Sequence, residues 1–367
     1  MKILFINTHY YMPQSVGGMS VTLHQLCSAL IERGHEVSVL AGFRKGALFG
    51  LRSSIAMKLR ALAGRSKLTF DRVPGYRVWR SWHPVAAIPE VCDAEMPDIV
   101  IVMGGKVVPA AKAAKGTGLP VLVQVHDVEL EFHDGDYGEI ADLPVIANSQ
   151  FTASFYRDTF GAAPSVIYPY IRRERYLVKQ TGQSVAFINP YVHKGLLVAI
   201  AVARRCAEIP FIFVGNVPEG GDELGTWADQ LAGLPNVRCL APVSDMRAIY
   251  AQTRILFAPS QWQEAFGRVA AEAQVSGIPV VGSGQGGLPE AIGGGGIVLP
   301  ADAPIDAWAE ALRRLWNDEH LFRELQRTAL AEAQQRSEGL EELEVAMNRL
   351  VSEGSSSQRR GGVGHEQ

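Results

Sequence analysis

Two glutamates, Glu264 and Glu272, stand eight positions apart in the segment QEAFGRVAAEAQVSGIPVVGS (263–283). Glu264 precedes a turn into a predicted helix that begins near Gly267, and Glu272 lies inside that helix. Backbone amides at a helix start donate hydrogen bonds to anions, and an ionised carboxylate accepts hydrogen bonds from two neighbouring hydroxyls. A sugar nucleotide needs both, because it carries a diphosphate and several diols. On spacing alone, a solvated position on the helix surface is an equally good interpretation of Glu272.

An alternation of strands and helices extends along most of the chain. The apolar run KILFIN (2–7) is typical of a buried parallel strand; a loop with Gly17 and Gly18 follows it, and SVTLHQLCSALIERG (20–34) has helical spacing. With the next run, EVSVLAG, these segments predict a βαβ unit and therefore a parallel sheet. Further runs continue the pattern in two series: DIVIVMG, PVLVQVHD and PVIANS, then SVAFINP, PFIFVGN, NVRCLAP, RILFAPS and IPVVGS.

Two successive series predict an α/β protein with two doubly wound, Rossmann-like domains whose strand ends face a shared cleft. We place the first domain at 1–168 and the second at 182–336, on either side of a polar, basic linker. A helix is expected at 337–353, and the low-complexity composition of 354–367 predicts a disordered tail.

The composition narrows the class of protein. Hydrophobic residues make up 47% and charged residues 20%, which is typical of a soluble globular chain without a membrane span. A formal net charge of −3 argues against a general nucleic-acid binder, which needs a basic field. Widely scattered cysteines predict buried, reduced thiols in a cytoplasmic protein; they are Cys27, Cys92, Cys206 and Cys239. No HExxH or clustered Cys/His spacing is present in the sequence, so no metal is expected.

The segment PSQWQEAFGRVAAEAQVSGIPVVGSGQGGLPEAI resembles the E-x7-E region of the retaining glycosyltransferases of family 4. The glycine loop after the first strand, VQVHD, VIANSQFT, VIYPYI and NPYVHKG match further motifs in that family's order and cover most of the chain. The resemblance implies the GT-B fold, in which two Rossmann-like domains face a cleft and a C-terminal helix crosses back to the first domain. It also implies a nucleotide-diphosphate sugar as the donor substrate, with no cofactor.

The resemblance assigns roles in the second domain. Glu272 resembles the glutamate that binds the ribose hydroxyls, and Glu264 resembles the one that contacts the donor sugar. Lys194 resembles the lysine that neutralises the diphosphate, whose departing charge a fixed ammonium stabilises. The backbone that meets the sugar and the diphosphate in that family corresponds here to Ala265, Phe266, Gly267 and Arg268.

One position departs from the family pattern. The family usually has an arginine five residues before the lysine, where this sequence has Asn189. An amide can donate a hydrogen bond to the diphosphate but brings no charge. Arg268 is the candidate for a substitute cation, and a weakened or non-catalytic relative is the alternative that Asn189 keeps open.

The first domain is expected to hold the acceptor. Gly17 and Gly18 match the family's loop that closes over the diphosphate and the acceptor, although no GxGxxG fingerprint is present. His126 follows the strand PVLVQV and resembles the family's active-site histidine near the donor sugar. Asp127 and Glu129 orient this histidine or meet the acceptor, and the sequence leaves both roles open.

The residues from 44 to 80 have a strong basic excess. Within them, ALFGLRSSIAMKLRALAGRSK (47–67) alternates apolar and cationic residues. Such a segment is compatible with peripheral contact to an anionic membrane, with an acidic or bulky acceptor, or with a solvated helix. The protein is therefore expected in the cytoplasm, or at the inner face of the membrane if this segment binds lipid.

Together these patterns predict a metal-independent, retaining hexosyl- or N-acetylhexosaminyltransferase. A UDP-sugar is slightly favoured as donor, and the acceptor is a glycan, a lipid-linked glycan or a small natural product. Two alternatives remain: a sugar-nucleotide 2-epimerase, which shares this architecture, and a non-catalytic protein that binds sugar nucleotides.

Overall fold

The computed structural model describes residues 1–15, 17–44, 68–129, 134–179, 182–222 and 225–361 of the 367-residue chain. Contacts divide the chain into two compact domains. The first contains Met1–Asn148, Thr152–Tyr170 and the segment that begins at Gly339, and the second contains Ser149–Phe151 and Ile171–Glu338. The division near 170 lies close to the expected linker.

A mostly parallel sheet forms the centre of the first domain, and only its edge strand β3 runs antiparallel to its neighbour β4. The strand order is β3-β4-β2-β1-β5-β6-β7-β8 in the described residues. The strands are β1 (Lys2–Tyr10), β2 (Glu36–Gly42), β3 (Thr69–Asp71), β4 (Arg77–Ser81), β5 (Ile99–Val102), β6 (Val121–Val125), β7 (Val145–Ala147) and β8 (Ser165–Val166).

Helices cover both faces of this sheet. They include α1 (Gly18–Glu32), α2 (Pro84–Glu95), α3 (Val107–Lys115) and α4 (Gln150–Phe160). Side chains on one strand alternate between two cores: Leu4 and Ile6 of β1 belong to one apolar cluster, and Ile3 and Phe5 belong to the other. Burial on both faces explains why these strands are continuous apolar runs in the sequence.

The second domain has a six-stranded parallel sheet in the order β13-β10-β9-β14-β15-β16, and a short antiparallel hairpin, β11-β12. The strands are β9 (Ser184–Ile188), β10 (Phe211–Val214), β11 (Gly221–Asp222), β12 (Gly225–Thr226), β13 (Val237–Leu240), β14 (Thr253–Ala258), β15 (Val280–Ser283) and β16 (Gly296–Leu299). The helices are α5 (Leu196–Arg205), α6 (Trp227–Ala232), α7 (Arg247–Tyr250), α8 (Arg268–Gln274), α9 (Leu288–Ile292), α10 (Ile305–Asn317) and α11 (Glu319–Gln335).

The strand orders confirm the prediction of Rossmann-like domains. Without the hairpin, the second sheet reads 3-2-1-4-5-6 along the chain, and the middle of the first sheet follows the same order. In both sheets the direction of winding reverses beside the first strand, between β9 and β14 in one domain and between β1 and β5 in the other. Ligands of open α/β sheets bind at the carboxyl ends of the strands at this reversal.

The last helix, α12 (Gly339–Gly361), belongs to the first domain, as predicted. Its Leu340, Leu343 and Met347 are buried in the same apolar cluster as Ile3 and Phe5 of β1. The predicted end of this helix at 353 is wrong, because α12 continues through part of the expected tail, 354–367, to Gly361. Residues 362–367 lie outside the described part of the chain.

Two further predictions concern the cysteines and the basic segment. Cys27, Cys92 and Cys206 are buried, but the prediction is wrong for Cys239, which is exposed on β13. Most of the basic segment 44–80, namely 45–67, lies outside the described residues. Within the described part of the chain, no helix combines the length and the apolar character that crossing a bilayer requires.

Candidate active site

The predicted residues of the second domain meet at the reversal of its sheet. Lys194 ends a 3-10 turn, Val192–Lys194, in the loop after β9, and Glu264 lies in the loop after β14. Because these two strands are neighbours, the loops after their carboxyl ends are adjacent. The Nζ of Lys194 lies 2.6 Å from Oε1 of Glu264, and both side chains are partly buried, at 28% and 19% exposure.

A serine side chain and the neighbouring backbone fix the positions of this ion pair. Ser260 donates from its hydroxyl to Oε1 of Glu264 at 2.9 Å. Gly195, directly after the lysine, has φ 91°, and a β-carbon there would lie 2.1 Å from the carbonyl oxygen of Pro259. Only glycine therefore allows the two loops to approach this closely. On its other side, the carbonyl of Glu264 accepts a hydrogen bond from the amide of Gly287 at 2.6 Å.

Helix α8 starts where the sequence predicts it. Gly267 is the residue before its first turn and has φ 97° and ψ 48°, with Leu288 of α9 so close that a β-carbon would lie 2.7 Å from its Cδ1. Phe266 is buried, and Ala265 precedes it in the loop. The positive φ angle turns the chain sharply from the Glu264 loop into the helix, so the backbone from 265 to 268 adjoins the ion pair.

Glu272 is buried in α8 with 7% of its surface exposed, so the interpretation as a solvated surface residue is wrong. Its Oε1 accepts from Nε of Arg268 at 2.6 Å, one helical turn earlier, and its Oε2 accepts from the hydroxyl of Tyr250 at 3.3 Å. Burial and the adjacent carboxylate raise the pKa of Tyr250 well above its ordinary value, so the phenol stays a donor. These two partners satisfy both oxygens of the buried side chain, which would otherwise lose the hydrogen bonds of water.

Asn189 is one of three described non-glycine residues with positive φ, at 57°. Its backbone amide donates to the backbone carbonyl of Val214 at 2.8 Å, and its backbone carbonyl accepts from the backbone amide of Tyr191 at 2.7 Å. Asparagine adopts this left-handed conformation more readily than most residues. The residue thus shapes the loop that carries Lys194. The proposed substitute cation, Arg268, directs its guanidinium at Glu272 and at the hydroxyl of Tyr176, 3.3 Å away.

In the first domain, Gly17 and Gly18 lie at the start of α1, beside the reversal of the sheet. A β-carbon built at either glycine meets no atom of the described residues within 4 Å. These two glycines therefore differ from Gly195 and Gly267 of the second domain, where a β-carbon would collide with the neighbouring loop or helix.

Arg80 of β4, whose side chain is completely buried, holds the loop between β1 and α1 by hydrogen bonds. Its Nε donates to Oδ2 of Asp71 at 2.8 Å, and its Nη atoms donate to the carbonyls of Tyr11 and Met12. A buried cation with one carboxylate and two carbonyl partners is strongly tied to its position. Arg80 therefore belongs to the fold and is not an exposed cation of the basic segment.

His126 directly follows β6 and is half-buried; its carbonyl accepts from Nδ2 of Asn148 at 3.3 Å. Asp127 lies near His9, at the end of β1: burial lowers the pKa of His9, and the charge of Asp127 partly opposes that shift. His126 and Asp127 thus lie at the carboxyl edge of the first sheet. The carboxyl end of β1, the strand that precedes Gly17, lies at the same edge. Glu129 is also half-buried. In the described residues, no cluster of three or more His, Cys, Asp or Glu side chains is arranged to hold a metal.

Family models and solved structures agree with the two-domain fold. The model "Glycosyltransferase Family 4" matches residues 16–175, and the model "Glycosyl transferases group 1" matches residues 183–318. The structure of Anabaena HepE in complex with UDP superimposes with a TM-score of 0.70 at 20% identity, over 97% of this chain and 100% of that one. Sucrose-phosphate synthase from Thermosynechococcus elongatus gives 0.69 at 16% identity, over 96% and 99%. The chain belongs to the glycosyltransferases and has the GT-B fold.

Curated relatives match this glycosyltransferase over short segments. A D-inositol 3-phosphate glycosyltransferase of Corynebacterium kroppenstedtii is 45% identical over 89 residues, 23% of this chain and 19% of the relative. The enzyme of that name from Mycobacterium marinum is 36% identical over 121 residues, 30% of this chain and 26% of the relative. The chain thus aligns with only about a fifth to a quarter of these relatives' length.

Sequence reasoning missed a glycine pair in this glycosyltransferase, Gly104 and Gly105, after β5. Their φ angles are 113° and 72°, and a β-carbon on Gly105 would lie 2.1 Å from Oγ1 of Thr8. The same hydroxyl accepts from the amide of Lys106 at 2.7 Å. The loop after β5 therefore packs directly against the carboxyl end of β1 at the reversal of the first sheet. The Gly-Gly step directly after an apolar run was the available signal.

Proposed function

We propose that the protein is a retaining glycosyltransferase that moves a hexosyl or N-acetylhexosaminyl group from a nucleotide-diphosphate sugar to a hydroxyl of an acceptor. The observation that carries the proposal is the Lys194–Glu264 ion pair at the reversal of the second sheet, with buried Glu272 in the adjoining helix α8. The ammonium suits the diphosphate of the donor, and the two carboxylates suit the hydroxyls of the sugar and of the ribose on either side of it.

Each charge has a chemical task in this scheme. Lys194 stabilises the negative charge that develops on the departing diphosphate, which lowers the barrier only if the ammonium is already in place. Its bond to Glu264 holds it there before the donor binds. Glu264 still has lone pairs for hydroxyls of the donor sugar, and Glu272, fixed by Arg268 and Tyr250, has lone pairs for the ribose diol.

The first domain contributes the acceptor side in this proposal. Among the described residues, no atom lies near the β-carbon position of Gly17 or Gly18, which supports room beside the backbone of α1. In this scheme His126, directly after β6, takes the role of the family's histidine near the donor sugar. The proposal includes no covalent nucleophile: the acceptor attacks the face that the diphosphate leaves, and a phosphate oxygen takes the proton of the acceptor hydroxyl. No metal or cofactor takes part.

The donor and the acceptor are named by analogy. HepE is described in complex with UDP and with UDP-glucose, which supports a UDP-sugar as donor. The curated relatives' name adds an inositol phosphate to the acceptor classes of glycan, lipid-linked glycan and natural product. The basic excess of residues 44–80 supports a further proposal: if the acceptor is lipid-linked, the protein binds peripherally at the inner face of the membrane.

A donor panel tests the proposal. The purified protein is incubated in EDTA with UDP-glucose, UDP-N-acetylglucosamine, UDP-galactose, GDP-mannose and ADP-glucose, and the released nucleotide and the sugar are followed by mass spectrometry. Slow hydrolysis of one donor supports transfer. Conversion of a donor to its 2-epimer without release favours the epimerase. Binding without turnover, even with cell extract as the source of acceptor, favours the non-catalytic protein that Asn189 suggests.

Two matched variants then separate the roles of the carboxylates. Glu264→Gln is expected to lower kcat more than it weakens donor binding, and Glu272→Gln is expected mainly to weaken donor binding. Both substitutions keep size and remove charge. Kinetics close to wild type for both variants would contradict the assignment.

A further inference from the structure

Three aromatic side chains line the surface next to the Lys194–Glu264 ion pair; we call Tyr191, His193 and Trp262 the aromatic patch. The rings of Tyr191 and His193 are stacked, with centroids 5.6 Å apart and an interplanar angle of 8°. The ring of Trp262 meets His193 edge-on, 5.8 Å away at 65°. Tyr191 and Trp262 are 37% and 43% exposed, so large aromatic surfaces face solvent at the edge where the strands end.

Backbone hydrogen bonds hold the patch in one arrangement. The carbonyl of Tyr191 accepts from the amides of Lys194 and Leu196 at 3.0 and 3.2 Å. The carbonyl of His193 accepts from the amide of Gln261 at 2.9 Å, which joins the loop after β9 to the loop after β14. A surface that is already rigid loses little conformational entropy when it binds a ligand.

The patch is also neutral. Partial burial and the nearby charge of Lys194 lower the pKa of His193 below its ordinary value, against the opposing effect of Glu264. At neutral pH this imidazole is therefore an uncharged aromatic ring. The charges of the site begin at the next residue, Lys194, and two residues after Trp262, at Glu264.

The chemistry of the patch suits a sugar ring. A pyranose has a face of C–H groups and an edge of hydroxyls; the C–H face packs on an aromatic ring, whose face is electronegative. The hydroxyl of Tyr191, the imidazole of His193 and the indole N–H of Trp262 are polar groups beside these faces. A lipid chain on the same surface would have to cover them without forming hydrogen bonds, at a cost in desolvation.

We propose that the aromatic patch is a stacking platform for a pyranose ring of the acceptor, so that the acceptor is a carbohydrate or the sugar head of a glycolipid. The inference rests on the proposed function, in which Lys194, Glu264 and Glu272 take the diphosphate, sugar and ribose of the donor. The platform adjoins Lys194 and Glu264, so a ring stacked there lies beside the donor sugar of that proposal. The second domain then adds one acceptor contact to those proposed for the first domain.

Saturation-transfer NMR with methyl α-D-glucoside, methyl α-D-mannoside, methyl α-D-galactoside and octyl β-D-glucoside tests the platform without using activity. Wild type, Trp262→Phe and Trp262→Leu are compared, because phenylalanine keeps an aromatic face and leucine keeps only apolar volume. Trp316→Leu is the matched control. Trp316 lies in the last turn of α10 and packs near Arg254 at the start of β14, where the strands of the sheet begin and not where they end.

We expect saturation of ring C–H protons for at least one glycoside, kept in Trp262→Phe and in the control, and reduced about three- to tenfold in Trp262→Leu. Tyr191→Leu is expected to act in the same direction. Thermal unfolding of each variant shows whether the fold is intact. Equal signals in Trp262→Leu and wild type overturn the inference. So does saturation confined to the octyl chain, which identifies a lipid surface, or saturation of no glycoside.

A kinetic readout separates this inference from the proposed function. With the donor that the panel identifies and a bound glycoside as acceptor, Trp262→Leu should lower the ratio of transfer to donor hydrolysis about three- to tenfold. If the wild-type protein turns over no donor at all, the proposed function is overturned. The NMR result still decides whether the platform binds sugars. An unchanged ratio would overturn the platform alone.

Discussion

The two domains have the same winding order but opposite chemistry at the point where the sheet reverses. In the second domain, the loops there carry paired charges, Lys194 with Glu264, and α8 adds Arg268 with buried Glu272. In the first domain, the matching place has open glycines at the start of α1 and a close contact between Gly105 and Thr8. One topology thus carries paired charges in the loops of one domain and glycines at the matching helix start of the other.

The support below the loops differs in the same way. In the first domain, buried Arg80 holds the loop after β1, and Cys27 of α1 forms a neutral cluster with Tyr11 and Tyr76. In the second domain, backbone contacts such as Gly195 against Pro259 give the loops their shape. The comparison predicts that the first domain depends on buried polar side chains, and the second on glycines and ion pairs.

The largest effect is expected from Arg80→Ala. The substitution leaves Asp71 and the carbonyls of Tyr11 and Met12 without their partner and should lower the free energy of unfolding by about 3–5 kcal/mol. Hydrogen exchange by mass spectrometry should show the loss of protection in peptides of the first domain. Arg33→Ala, in the same domain, breaks more exposed pairs with Glu341 and Glu344 and should cost only about 1 kcal/mol. Equal stabilities of the two variants would show that the first domain does not depend on its buried Arg80.

Lys194→Ala should leave the fold intact but lower kcat about a hundredfold, because the departing diphosphate loses its cation. The measurement is steady-state release of nucleoside diphosphate from the donor that the panel identifies. Lys115→Ala is the matched control, since this lysine forms an exposed pair with Asp142 in the first domain. Turnover in Lys194→Ala within twofold of the control would show that the ion pair is structural only.

High pH should weaken the first domain through its neutral cluster. Burial raises the pKa of Tyr11, Tyr76 and Cys27, whereas in the unfolded chain the thiol ionises near 9.0 and the phenols near 10.0. The unfolded state therefore releases protons that the folded state keeps. Stability is complete below pH 9 and falls above it, by about 1.4 kcal/mol per pH unit for each ionised group.

Urea unfolding between pH 7 and 11 measures this slope. Tyr11→Phe removes one ionising group and should flatten the slope, although it also removes the hydrogen bond to Tyr76. A free energy of unfolding that stays constant up to pH 11 would contradict the prediction.

The smallest effect is expected from Gly17→Ala. Its φ of −91° is open to any residue and no atom lies within 4 Å of the new β-carbon, so stability should change by less than about 0.5 kcal/mol. Gly195→Ala, with φ 91° and the carbonyl of Pro259 in its way, should cost at least about 1–3 kcal/mol. If Gly17→Ala is stable but loses turnover, the open loop contacts a ligand. If both variants unfold alike, the glycines of the two domains do not differ.

The sequence predicted much of this fold because its strands are buried on both faces. EVSVLAG is strand β2 (Glu36–Gly42) in full, and IPVVGS contains β15 (Val280–Ser283). Strands without such runs escaped: β3 (Thr69–Asp71) lies at an edge, and β16 (Gly296–Leu299) is only partly buried. The end of α12 was misplaced because small polar residues such as SSS indicate disorder in composition, yet are compatible with a helix.

The sequence by itself determined the order of the buried strands, the two Rossmann-like series and the candidate residues, since each depends on local patterning or on motifs of contiguous residues. Tertiary structure alone decided that Lys194 pairs with Glu264 across 70 positions, that Arg80 is buried, and that Trp262 meets His193. These contacts depend on which strands become neighbours in a sheet, and hydrophobic patterning does not encode that choice residue by residue. The physical reason is that a charge or a ring acquires its role from the groups brought against it by folding.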